Sequence, residues 1–341
     1  LAGEPRCASY NDARRVASRR ETSMTIPGDT GLAVRRGVLI ALAVVVFGVA
    51  GCAVLTDGQV AAVNQFAEAT KGFGTSPAAV ITAYATLRRE RGLLESATRT
   101  DGNIAVRDLE IALRQETGLE SRAAASDAAM GVLDDYAQML SLLSSSKFTD
   151  DLQNQTIALG SSIDNGISTF NKHSASQVNS FGDIIAGIVR AASGIWIRRE
   201  QHKALVAAVT QAKTPVDKLT ASVEELMALF LGPPNEPDKN LFARESKEVQ
   251  GLLVRWPPTG RQFDVLERTQ TAMRQAFDGQ KLAESCMKAA GQYRNAHSEL
   301  VQAIAEGKTD LKGLVAQIQV LSQEIKAGKR VRDEVKKARD N

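Results

Sequence analysis

Cysteine is nearly missing from this chain of 341 residues. The three present, Cys7, Cys52 and Cys286, are too few and too scattered for a disulfide framework. Histidine is as scarce: His173, His202 and His297 stand singly, without a His-x₃-His pair or an acidic partner at metal spacing, so neither a metal nor another cofactor is expected. An excess of one charge is lacking too. The formal net charge is +3, but seven of the 42 Lys and Arg and four of the 39 Asp and Glu lie in residues 1–51, which leaves 35 of each beyond them. So even a balance gives nucleic acid no electrostatic footprint. Aromatics make up 5%, and no segment sustains a period-2 alternation bounded by turn residues, which argues against strands. There is also no Gly-x-Ser-x-Gly elbow, the turn that presents a catalytic serine.

What the chain does have is one long apolar run, Gly37 to Gly51, 15 residues in all. A spanning helix needs roughly 20 residues, so this run is short for a permanent anchor. Met24, a short polar segment, Arg35-Arg36, the apolar run and then small residues come in the order of an export signal. The run ends in Val49-Ala50-Gly51-Cys52, which resembles the bacterial lipobox of aliphatic, small, small, Cys. The resemblance implies a bacterial lipoprotein in which 24–51 is removed and Cys52, carrying a diacylglyceryl thioether, becomes the first residue. By the same resemblance Ala53, where an aspartate favours inner-membrane retention, directs the protein to the outer membrane. Residues 1–23 hold Arg and small polar residues with no apolar period, and are expected to lie upstream of the true start at Met24.

Beyond Cys52, Ala, Leu, Gln, Glu, Lys and Arg dominate, and the pattern predicts an all-α fold: an elongated antiparallel helical bundle with coiled-coil-like packing. Residues 52–60 are read as lipidated N-terminus and tether, and 61–341 as the bundle. Asp57 is a candidate cap for a first helix with Val60, Val63 and Phe66 on its inner face. Ser76-Pro77 starts a second, whose stripe runs Val80, Tyr84, Leu87, Arg91 (stem only) and Leu94. Gly118 is expected to break or bend the helical stretch after it. Thr149 caps a long run with Asp150 and Asp151 in its first turn, continuing to about Ala212, and Thr214-Pro215 restarts the chain. Gly232 suits a position just past a helix, before Pro233, Pro234 and Pro237. A short helix then precedes "RWPPTG", and two long ones close the chain. In the last, Leu311, Leu314, Ile318, Leu321 and Ile325 alternate spacings of 3 and 4, a narrow coiled-coil seam, with Thr309 as its expected cap.

Other local patterns carry less. "AEGKTDLKG" (305–313) ends like a phosphate-binding loop, but Gln302 stands where that loop needs its first glycine. "TDGNIAVRDLE" opens like a calcium loop with Asp101 and Asn103, yet Ala105 occupies the next ligand position. The pairs Asp134-Asp135 and Glu224-Glu225 are expected on wet faces, and Cys286 as a small core residue. The most apolar window past the leader is 181–197, in "FGDIIAGIVRAASGIWIRRE". It reads as a buried helix. In layout alone the chain also resembles helical pore-forming cytolysins, which implies a membrane-active role for 181–197. Asp183 and Arg190 would then sit in the bilayer at about 2.5–3.5 kcal/mol each. The expectation is a periplasm-facing, lipid-anchored structural or interaction module of the envelope, not an enzyme, whose partner is another envelope protein. Its alternatives are the membrane-active protein and an unrecognised enzyme.

Overall fold

The structure, a computed structural model, describes residues 54–340 apart from short breaks at 72, 75, 99–103, 146–148, 192–197, 234 and 256–262. Among the described residues it is helical with no strand. These residues form nine helices in order: α1 Asp57–Thr70, α2 Ser76–Thr98, α3 Ile104–Leu143, α4 Asp150–His173, α5 Gly182–Ala191, α6 Arg198–Leu231, α7 Leu241–Arg255, α8 Phe263–Ile304 and α9 Lys312–Asp340. A 3₁₀ turn, Pro237–Lys239, precedes α7.

Apolar stripes bring these helices together as a bundle. The longest, α8, has 42 residues and packs against α9, α6, α2, α7 and α1. Against it α9 runs the opposite way, since Gly313 lies beside Glu299 while Gly328 lies beside Ser285. The seam residues Leu314, Ile318, Leu321 and Ile325 are all buried in that contact. Helix α3 packs against α4, α2, α1 and α6. Two groups of rings mark the core. Tyr136 meets Phe181 and His297 edge-on with centroids 5.7 and 5.5 Å apart, and Phe66 meets Tyr293 at 5.1 Å. Farther along, Tyr84, Phe230 and Phe242 form a second group, with spacings of 5.3 to 5.9 Å. Edge-on geometry suits ring quadrupoles, so these rings add to the area they bury.

Local chemistry accounts for several ends. The Thr149 side chain accepts from Leu152 N–H at the start of α4, with Asp150 and Asp151 behind it. After α6, Gly232 takes φ +69°, a left-handed conformation, and its N–H bonds Ala228 O at 2.9 Å. Gly307, at φ +71°, stops α8 in the same way.

Six expectations are corrected. The cap of α1 is Thr56, not Asp57, in a capping box with Gln59; Leu55 is already in the core, so the bundle begins before residue 61. Gly118 does not break α3, which runs unbroken from Ile104 to Leu143. The run from Thr149 to Ala212 is not continuous. It ends at His173, where Asn171 closes the next loop by bonding both N–H and C=O of Val178 at 2.9 Å. Pro215 does not restart the chain but lies buried inside α6. An interior proline costs about 3 kcal/mol, and the buried stripe on either side (Leu205, Val209, Ala212, then Val216, Leu219, Val223) outweighs that. Finally, α9 starts at Lys312, whose N–H bonds Asp310 Oδ1 at 3.0 Å, rather than at a Thr309 cap.

Candidate functional site

Cys52, the proposed lipid site, and the signal segment 24–51 lie outside the described residues, as do Asp101 and Asn103. The chain just beyond the cysteine is described. Its first described residues dock at once. Leu55 is 1% exposed. Arg198, at the start of α6, bonds Leu55 O at 3.2 Å and pairs with Asp57 at 2.7 Å. The Gln59 amide reaches Ala303 O at 2.7 Å, which ties α1 to the last turn of α8. Three elements thus fix the point where the chain enters the fold.

The window 181–197 is described up to Ala191. Its α5 turns Gly182, Ile185, Ala186 and Val189 inward. The fit against α4 is close: a Cβ at Gly160 would stand 2.8 Å from Gly182 O, so glycine is required where the two backbones meet. Asp164 on α4 accepts from the N–H groups of Gly182 and Asp183 at 2.7 and 2.8 Å, a carboxylate set against the positive end of α5. No helix among the described residues is long and apolar enough to cross a membrane.

Two clefts open on the flank. One, of about 320 Å³, has a floor of Ala125, Ala129, Phe170, Val223 and Leu226 and a rim of Arg122, His173, Ser174, Ser176, Ser222 and Glu225. An apolar floor under a rim of both charge signs suits contact with a peptide or small amphiphile. The other, of about 700 Å³, lies between α1, α3 and α4. Within it Ser141 Oγ donates to Asn64 Oδ1 at 2.8 Å, and Ser162 Oγ of its wall donates to Asp135 Oδ2 at 2.6 Å. The Asp134-Asp135 pair is therefore not simply solvated. Burial pushes the Asp134 carboxyl up, and one of its oxygens has no hydrogen-bond partner. Glu224 pairs with Arg294 at 3.0 Å, and Glu225 is exposed.

Two buried polar contacts went unseen in the sequence because their partners are far apart in the chain. His297 Nε2 is 2.9 Å from the Tyr136 hydroxyl, 161 residues away, while His297 Nδ1 has no partner. Burial pushes the imidazole down to about 3, helped by the charge of Lys213, so the ring is neutral and shares a hydrogen bond with Tyr136 whose direction follows its tautomer. Arg91, read as a stem only, also carries its charge inward: its guanidinium meets Glu245 at 2.7 Å, where Tyr84 Oη also donates at 3.3 Å. The Glu245 side chain is 2% exposed. The first contact is enclosed in the core, the second lies with Glu245 buried and Arg91 partly exposed, and each gives a partner to a polar group that burial would otherwise strand. His173 and His202 lie apart from them, exposed and half-buried. Cys286 is buried and free, its thiol pushed up by desolvation, which makes it unreactive. Among the described residues no group of three or more His, Cys, Asp or Glu could hold a metal ion.

Large apolar side chains also reach solvent. Val254, near the end of α7, is 80% exposed, and Phe263 and Leu266, in the first turn of α8, are 78% and 43% exposed. Phe263 opens α8, whereas Gln59 holds its other end. No protein-family model, curated protein or solved structure matches this chain.

Proposed function

We propose that this chain is a bacterial lipoprotein, anchored through lipid on Cys52, whose helical bundle serves as a structural or protein-interaction module of the envelope, on the periplasmic face of the outer membrane. The observation that carries the reading is the position of Leu55, in the core only three residues beyond the lipobox cysteine. One acyl chain holds a protein only marginally, at about 0.8 kcal/mol per buried CH₂, so a diacylglyceryl group with an amide-linked chain is the stable anchor.

The apolar surface at Val254, Phe263 and Leu266 and the mixed rim at Arg122 and Glu225 support binding of another envelope protein over catalysis. A membrane-active role for 181–197 draws less support, because α5 has its apolar face turned into the bundle. The test is incorporation of labelled palmitate by wild type and by Cys52→Ala. The wild type should label and fractionate with membranes, and the variant should do neither. Equal labelling of the two would sink the proposal.

A further inference from the structure

A cleft of about 240 Å³ lies where α9 crosses α2 and α8. Its floor is small and apolar, with Ala78, Ala79 and Ala83. Thr82 and Thr86 stand one turn apart on α2, and Arg332 and Lys336 one turn apart on α9. Among the described residues these two cations are the only formally charged ones that line it. Arg332 is oriented by Asp333 at 3.2 Å. The remaining lining residue is Gln275 of α8, 6% exposed, whose Oε1 has no hydrogen-bond partner. A buried acceptor without a donor is costly. The Thr82 hydroxyl donates to Ala78 O at 2.9 Å, so what Thr82 offers a ligand is its lone pairs.

The cleft therefore presents two cations at its edge, acceptors on its wall and methyl groups beneath. An anion would suit the first, Lys336 and the Asp333-paired Arg332, but leave the second. We propose that it binds an N-acylated small α-amino acid, the chemistry of a peptide's C-terminal residue. The carboxylate meets Arg332 and Lys336 in charge-assisted contacts. The amide N–H is directed to Gln275 Oε1 or Thr82 Oγ1, and a small side chain lies on the alanines. The volume equals roughly eight waters, room for one or two such residues and not for a folded partner. The proposal does not depend on the lipid anchor, because every group it uses belongs to α2, α8 and α9.

The experiment uses the full chain purified in detergent micelles, with binding followed by calorimetry. The probes are N-acetyl-alanine, acetyl-trialanine and the methylamide of N-acetyl-alanine. Both acids should bind in the millimolar range or better, and the methylamide should bind at least about tenfold more weakly, the loss expected for one charge-assisted contact. Tighter binding of the trialanine acid identifies a peptide end as the source; equal binding identifies a free acylated amino acid. Lys336→Gln, at an exposed position that cannot unfold the bundle, should weaken both acids about tenfold and leave the methylamide unchanged. Gln275→Met should weaken all three. Absence of binding by both acids, or a methylamide that binds as well as the acid, overturns the proposal.

Discussion

Lowering the pH should unfold this bundle through one histidine. His297 is buried beside Phe66 and Tyr136, and its folded-state value is pushed down to about 3. In the unfolded chain it returns to about 6.5. Between those two values the unfolded chain takes up a proton that the folded chain refuses. Stability is therefore full above pH 6.5 and falls as pH drops toward 3. Each pH unit costs about 1.4 kcal/mol, so moving from pH 7 to pH 4.5 removes about 3 kcal/mol. Burial raises the carboxyls of Asp127, Asp134, Asp217 and Asp278, and those act in the opposite direction, gaining stability as pH falls. A variant that keeps them and removes only the histidine isolates the effect. His297→Gln does so, because its side-chain amide can either accept from Tyr136 or donate to it. Urea unfolding of both proteins at pH 7 and pH 4.5 is the assay, and the wild type should lose about 3 kcal/mol more than the variant across that interval. Equal losses would mean that the folded protein accommodates a charged His297, and the account of a dry, neutral ring would be wrong.

The seam offers a second test. Leu321 is fully buried, so Leu321→Asp should cost at least the roughly 2–5 kcal/mol of a core truncation and strip α9 from α8, while Lys326→Ala on the exposed side leaves the melting curve unchanged; circular dichroism distinguishes them. Gly182→Val should lift α5 from α4, because any Cβ there collides with the Gly160 carbonyl. Hydrogen exchange should then speed up across residues 182–191 with little change in the global melt. Glu245→Ala should cost about 2–4 kcal/mol by leaving Arg91 without its partner, reduced from the fully buried case because Arg91 is 27% exposed. The double change Arg91→Met with Glu245→Met should recover most of that loss in thermal denaturation.

The helices were legible where the information is local. The stripes of α2 and α9, the Thr149 cap and the stop at Gly232 each rest on residues within a turn or two of one another, and spacing exposes them. Breaks and continuities that depend on distant contacts were not. Pro215 looks like a boundary to any reading of neighbours, and only the burial on both sides of it explains an unbroken α6. The end of α4 was hidden for the opposite reason: the apolar pattern carries on through Val178 and Ile185, and the turn depends on a side chain, Asn171, taking over backbone bonds. Tyr136 with His297 and Arg91 with Glu245 were not legible, since each pair joins helices that only the fold brings together.

The early entry of the chain into the core limits how the protein moves. In the proposed reading residues 52 to 55 form the tether, and three steps of at most about 3.6 Å make the leash from lipid to Leu55 no longer than about 11 Å. A long linker would let a domain sweep a volume above the bilayer and trade reach for orientation. This one has almost no volume to sweep. In the proposed reading the bundle diffuses in the plane of the membrane as a float with a fixed keel. Its range is then set by its own dimensions. From the end of α8 that holds Gln59 to its start at Phe263 the helix spans 42 residues, or about 63 Å at 1.5 Å per residue. A partner at that start would be met at a set distance, and shortening α8 by whole turns would retune that distance in steps of about 5.4 Å.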